Sequence, residues 1–149
     1  MEYLTVHDLV WINNTVTGDV HPYDYVTLEA CMAAQYSYGN SHDVPKQAAG
    51  LLEKLLSKSP FESGNLQTAL IATLTFLNAN TYATTASQEQ LAEAVHSVAE
   101  GNKKGIEAVQ SISAPANAPL ANVLALRRLI TLECNTHAQA LQLLADGDN

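Results

Sequence analysis

The chain has few charged residues and very few basic ones. Only 15% of its 149 residues are Asp, Glu, Lys or Arg, against the roughly 25% that is typical of soluble domains. The 7 basic residues are outnumbered by 15 acidic ones, which gives a formal net charge of −8. Because binding to duplex nucleic acid or to an anionic membrane depends on clustered Lys and Arg, the sequence predicts neither as a direct partner.

Cysteines and long apolar runs are also scarce. Cys31 and Cys134 form no metal-ligand pattern with the histidines, and both are expected to behave as small hydrophobes in helices. The longest apolar stretch, 69–77, is interrupted by two Thr residues and is too short to span a bilayer. No basic segment followed by an apolar one stands at the N-terminus, so we expect no signal peptide and a reduced, cytoplasmic location.

Helix signals dominate the rest of the sequence. Thr5 with Asp8, and Ser87 with Gln90, predict capping boxes at two helix starts, and a cap at Ser41 or Asp43 precedes a third helix that stops at Pro60. Apolar residues at helical spacing place the other helices at 25–38, 65–78, 104–112 and 120–145.

The expected architecture is all-α, a single domain over 1–149 with about seven helices. The segment 65–78 is apolar on nearly every side, which is typical of a central helix rather than a surface one. We expect 113–119, which is rich in Ala and Pro, to be a loop, and 146–149 to be a frayed tail. No alternation of period two predicts a strand.

The loop before the central helix carries a resemblance. Residues 59–67 read Ser-Pro-Phe-Glu-Ser-Gly-Asn-Leu-Gln, which resembles the H-P-F-x-[D/E]-G-N-[G/K]-R loop that joins two helices in the Fic/Doc (death-on-curing) family. The flanking segments 4–9, 28–30, 68–70 and 76–80 are similar to segments of the family in the same order. The resemblance is strongest over 4–82 and implies a Fic/Doc-like helical bundle.

Three positions that carry the family's chemistry differ in this chain. Ser59 stands where the resemblance implies the general-base His, Ser63 where it implies the metal-binding acid, and Gln67 where it implies the phosphate-clamping Arg. A Ser hydroxyl does not accept a proton near neutral pH, and a general base alone is worth about 10² to 10⁴ in rate. We therefore expect no catalytic residue, no metal and no cofactor in this loop.

The leading hypothesis is a catalytically degenerate Fic/Doc-like protein, a non-enzymatic binding or regulatory member of a scaffold derived from toxin–antitoxin systems. The resemblance implies a small antitoxin-like protein partner, and the apolar last helix leaves a homodimer open. Pro60, which stops one helix, and Phe61, which is apolar, are expected to be structural residues of the loop.

The alternative is a nucleotide- or phosphate-using transferase, of the adenylylation or phosphorylation type, that uses ATP and Mg²⁺ through an altered loop. Its anion-binding remnant would be the start of the central helix, whose N–H groups attract anions, together with Glu62, Gly64, Asn65, Gln67 and Thr68. Glu62 lies one residue before the family's acid, so its side chain points in another direction.

A third hypothesis is an interaction module. Tyr residues flank the second predicted helix, and Tyr is enriched at protein interfaces. Half-buried edges of the core explain the same pattern. The residues concerned are Tyr23, Tyr25, Tyr36 and Tyr38.

Overall fold

The computed structural model describes residues 1–116 and 125–146, and it is 68% helical. The all-α prediction is confirmed. The described ranges contain eight α-helices: α1 (Val6–Thr17), α2 (Tyr25–Ala33), α3 (Val44–Lys58), α4 (Asn65–Ala79), α5 (Gln88–Ala99), α6 (Gly105–Ile112), α7 (Leu126–Thr136) and α8 (Ala138–Asp146).

Several of these helices begin at an N-cap residue whose side chain bonds to the main chain of the first helical turn. Thr5 Oγ1 accepts from the Asp8 N–H at 3.2 Å, and Asp8 Oδ2 accepts from the Thr5 N–H at 2.9 Å, which confirms the first capping box. The second box, formed by Ser87 and Gln90, is confirmed with the same reciprocal pattern. Of the two caps predicted for α3, the one observed is Asp43. Each such cap is worth about 0.5–2 kcal/mol of stability.

Helix α4 is the centre of the molecule, as its composition predicts. All of its residues except Leu66 and Asn78 are buried, and it packs against α1, α3, α5, α7 and α8. Phe76, Leu70 and Ile71 of this helix are among the large side chains with essentially no exposed surface. Because the chain on both sides of the 59–64 loop is fixed in this core, the loop is held by two well-packed helices.

Three secondary-structure predictions are wrong. The second helix ends at Ala33 and is followed by a 3₁₀ turn, Ala34–Tyr36, and then by Ser37 with φ of 47°, a left-handed conformation that a helix cannot continue through. A small antiparallel sheet pairs β1 (Tyr82–Thr84) with β2 (Ser113–Pro115), where a loop is expected. Three-residue strands are too short to show alternation, so only the tertiary pairing reveals them.

The predicted last helix, 120–145, is two helices. Helix α7 ends at Thr136, and His137 leaves helical geometry with φ of −109° and ψ of 30° before α8 begins. Gln88 of α5 stabilises this break, because its Oε1 accepts from the Ala140 N–H in the first turn of α8 at 3.1 Å. The predicted start at Leu120 and the predicted tail beyond Asp146 lie outside the described residues.

Both cysteines are free and buried. Burial raises the pKa of the Cys134 thiol from 9.0 to about 11, and the neighbouring Glu133 carboxylate adds to the shift. Burial also raises the pKa of Cys31, an effect that the positive charges of Lys54 and Lys58 partly offset. Both groups are therefore neutral thiols near pH 8.

We expect both thiols to resist iodoacetamide in the native protein at pH 8 and to react fully in urea, because the thiolate is the nucleophile. Above pH 9.0 the unfolded Cys134 loses its proton while the native thiol keeps it to about 11. The stability contributed by the protonated thiol is therefore complete below pH 9 and declines as the pH rises towards 11. Mass spectrometry of the iodoacetamide-treated protein measures the labelling of the two thiols. Labelling of the native protein as fast as in urea would contradict the prediction.

No helix in the part of the chain that the structure describes is both long and apolar enough to cross a membrane.

Candidate functional site

The 59–64 loop leaves α3 through a left-handed residue. Ser59 has φ of 44°, its N–H donates to the Leu55 carbonyl at 3.1 Å, and its side chain is exposed. The next two residues, Pro60 and Phe61, are buried, and Glu62 turns back to solvent. The loop therefore alternates between surface and core within four residues.

A second loop holds this one in place. The Asp24 N–H donates to the Pro60 carbonyl at 3.0 Å, and the Glu62 N–H donates to the Pro22 carbonyl at 2.9 Å. The rings of Tyr23 and Phe61 lie 5.7 Å apart. Residues 60–62 are thus held like a short strand against residues 22–24.

Asn65 closes the loop onto itself. Its Oδ1 accepts from the Phe61 N–H at 3.0 Å, and its Nδ2 donates to the Phe61 carbonyl at 2.7 Å. Both polar atoms of this buried side chain are used inside the protein. The first residue of α4 therefore shapes the turn rather than facing a cleft.

Helix α1 covers the start of α4. Asn13 Nδ2 donates to the Ser63 carbonyl at 2.8 Å and to Thr68 Oγ1 at 3.1 Å. Gly64 has φ of +77°, and a Cβ added there would lie 2.3 Å from Thr17 Cγ2. This close approach requires glycine for both its conformational freedom and its lack of a side chain.

Gln67 is tied to the main chain of α8. Its Nε2 donates to the Leu141 carbonyl at 2.9 Å, and the residue is only 7% exposed. The position that the resemblance gives to a phosphate-clamping Arg is thus occupied by a neutral amide that is bonded inside the protein. Gln67 and Leu141 are 74 residues apart in the chain, so the loop sequence alone did not predict this contact.

The structure brings the predicted site residues together in one short segment but turns them in different directions. Asn65, Gln67 and Thr68 are buried and bonded to protein atoms, whereas Ser59 and Glu62 face solvent. Five surface clefts, each about 390 to 530 Å³ in volume, occur among the described residues, and none of these five is lined by residues 59–68.

A Mg²⁺ ion, as the alternative hypothesis requires, would find a poor ligand set in this loop. Glu62 is the only carboxylate in residues 59–68. Within residues 1–116 and 125–146, no group of three or more His, Cys, Asp or Glu side chains is arranged to hold a metal ion. Mg²⁺ keeps several waters and binds through one or two carboxylates together with substrate phosphates, so nothing beyond Glu62 would position it here.

Sequence reasoning missed a buried polar cluster at the α7–α8 break. His137 Nε2 lies 3.1 Å from Glu133 Oε2 without hydrogen-bond geometry, and Asn78 Nδ2 donates to Glu133 Oε1 at 2.8 Å. Gln88 Nε2 lies 2.9 Å from His137 Nδ1. The i,i+4 spacing of Glu133 and His137 is the only signal that could have indicated this pair.

The hydrogen bonds of Gln88 determine which tautomer of His137 fits this cluster. Because Gln88 Oε1 accepts from the Ala140 N–H, Gln88 Nε2 is the donor that faces Nδ1. Nδ1 therefore accepts, and the ring proton lies on Nε2 beside Glu133. The cluster borders a cleft of about 450 Å³, but its polar groups face one another, so we assign it a structural role.

Neither a protein-family model nor a curated protein matches this chain. The resemblance to the Fic/Doc family is carried by the loop residues and their flanks alone.

Proposed function

We propose that this chain is a catalytically degenerate Fic/Doc-like protein that acts by binding another protein and not by transferring a nucleotide. The hydrogen bond from Gln67 to the Leu141 carbonyl supports this proposal most directly. Phosphoryl and nucleotidyl transfer depend on positioned charges that stabilise phosphate oxygens. Here the residue at the clamp position is neutral, buried and already bonded.

The surrounding loop supports the same proposal. Asn65 bonds to Phe61, and Asn13 of α1 bonds across the start of α4, so the polar groups near the helix N-terminus hold the loop together. Glu62, the remaining carboxylate, faces solvent, and its backbone N–H is bonded to Pro22. A loop built in this way positions two core helices and leaves other surfaces to bind a partner.

The partner implied by the resemblance is a small antitoxin-like protein, and the compartment we propose is the cytoplasm. Two free, buried cysteines fit a reducing compartment, where thiols persist without disulfides. The low count of basic residues supports a protein partner over nucleic acid.

The proposal is tested by thermal-shift and calorimetric titration with ATP, CTP, GTP and UTP, each with and without Mg²⁺. A ligand at 100 times its Kd stabilises the folded state by about 2.7 kcal/mol, and each kcal/mol raises the Tm of a chain of this size by about 2–4 °C. We expect no rise at millimolar nucleotide.

The Glu62→Ala variant is the matched control for this titration. A Mg²⁺-dependent rise in Tm that disappears in Glu62→Ala would overturn the proposal in favour of the altered-site transferase. A rise that persists in the variant would overturn it as well and would place the nucleotide elsewhere on the protein.

A further inference from the structure

Three adjoining clefts lie along the exposed side of α3, and Glu53 lines all of them. Their volumes are about 480, 530 and 390 Å³. We call them together the lysine groove, because their lining includes four of the five lysines of the chain: Lys46, Lys54, Lys103 and Lys104.

The lysine groove has the opposite charge to the rest of the protein. Four lysines and two glutamates, Glu53 and Glu107, line it, which gives a net charge of +2. The whole chain carries −8, so the residues outside the groove carry −10. A local field of this sign raises the concentration of acidic partners at the groove.

The two carboxylates of the groove are already used by the protein. Glu53 Oε2 accepts from the Gly105 N–H at 2.9 Å, and Glu107 Oε1 accepts from the Lys104 N–H at 3.1 Å. Both therefore stabilise the N-terminal turn of α6, where negative charge is favourable. Their charge is partly compensated by the helix and offers little competition for the lysines.

Most of the lysines have no acidic partner. Lys46 Nζ lies 3.9 Å from Asp43 Oδ2. The other three lysines of the groove form no ion pair within 4.0 Å among the described residues: Lys54, Lys103 and Lys104. Three lysines that line one groove without an ion pair among the described residues favour an external acidic ligand.

The shape of the groove suits a polypeptide chain. Small residues form one wall and leave it without bulky side chains: Ala30, Ala33, Ala34 and Gly50. Tyr38 stands at the rim with 88% of its surface exposed, and its ring stacks 6.4 Å from that of Tyr36. Exposed Tyr rings of this kind are frequent anchors at protein interfaces.

We infer that the lysine groove binds an acidic, extended segment of a partner protein. This inference rests on the proposed binding function and adds the chemistry of the partner. A long nucleic acid is disfavoured because it would extend beyond the groove onto surfaces that carry the remaining −10 charge.

Fluorescence anisotropy with a short labelled peptide of repeated Glu, Ala and Tyr tests the inference, with a peptide in which Gln replaces every Glu as the control ligand. We expect the Glu peptide to bind, the Gln peptide not to bind, and the affinity to fall as salt screens the charges. The double variant Lys54→Gln/Lys104→Gln should bind about tenfold more weakly.

A charge-matched variant separates the groove from the overall field. Lys58→Gln/Arg128→Gln removes two exposed positive charges outside the groove and should leave the affinity within about twofold. Equal weakening in both double variants, or no binding of the Glu peptide, would overturn the inference. Tighter binding of an oligothymidylate of equal length would overturn it in favour of nucleic acid.

The two proposals fail in different ways. If the Glu peptide does not bind and nucleotides do not raise the Tm, only the groove assignment is wrong. If nucleotides raise the Tm while the Glu peptide binds in a lysine-dependent manner, the non-enzymatic function is wrong and the groove assignment stands.

Discussion

The Glu133→Ala variant should lose about 1–3 kcal/mol of unfolding free energy, as is typical when a buried hydrogen-bond donor loses its acceptor. Glu133 and His137 have side chains only 6% and 7% exposed. Without the carboxylate, Asn78 Nδ2 loses the acceptor Glu133 Oε1, and His137 Nε2 loses the carboxylate oxygen that lies 3.1 Å away. Urea unfolding, monitored by circular dichroism, measures the loss.

Two further variants make this prediction specific to the cluster. Glu133→Gln keeps an oxygen for Asn78 and should cost less than Glu133→Ala. Glu29→Ala removes an exposed carboxylate from α2 and should change stability by no more than about 0.5 kcal/mol. If Glu133→Ala were as mild as Glu29→Ala, the cluster would not hold α7, α8 and α4 together as we describe.

The Gly64→Ala variant should lose about 2–4 kcal/mol, combining the left-handed backbone conformation with the overpacking of a tight contact. The backbone at Gly64 has φ of +77°, and the added Cβ would lie 2.3 Å from Thr17 Cγ2. Because this contact joins α1 to the start of α4, the variant should also loosen the candidate loop. Thermal and urea unfolding measure the loss.

Gly101 provides a matched control for the conformational part. It has φ of +79° and no atom within 4 Å of an added Cβ, so Gly101→Ala should cost only about 1–2 kcal/mol. Adding Thr17→Ser to Gly64→Ala removes the clashing methyl group, keeps the hydroxyl that donates to the Asn13 carbonyl, and should restore the steric part. Equal losses for Gly64→Ala and Gly101→Ala would refute the proposed close approach.

Local patterns predicted the fold well where the stabilising contacts are themselves local. The Thr5–Asp8 box forms because both residues lie within one helical turn, and the apolar composition of 65–78 leaves no polar side for solvent. The same reasoning was wrong for 120–145. There the helix breaks at His137, whose ring contacts Gln88 from 49 residues earlier in the chain, a contact that no local pattern shows.

In the candidate loop, too, the local features were predictable from the sequence and the long-range contacts were not. Its sequence predicted a junction between two helices and identified Ser59, Ser63 and Gln67 as departures from the Fic/Doc pattern. It could not predict that Gln67 bonds to the main chain 74 residues later, or that Asn13 covers the loop from 50 residues earlier. These contacts give the loop its inward arrangement, on which the proposed function depends.

By itself, the sequence determined the all-α class, three of the helix caps, the central position of α4, the low content of charged residues and the net charge of −8. Tertiary structure alone decided that Lys46 and Lys54 of α3 share a groove with Lys103 and Lys104 beside α6, and that Glu133 meets Asn78. The physical reason is that caps and amphipathic faces depend on neighbours within a few residues. A groove or a buried pair depends on which helices pack together, and that is settled only when the whole core forms.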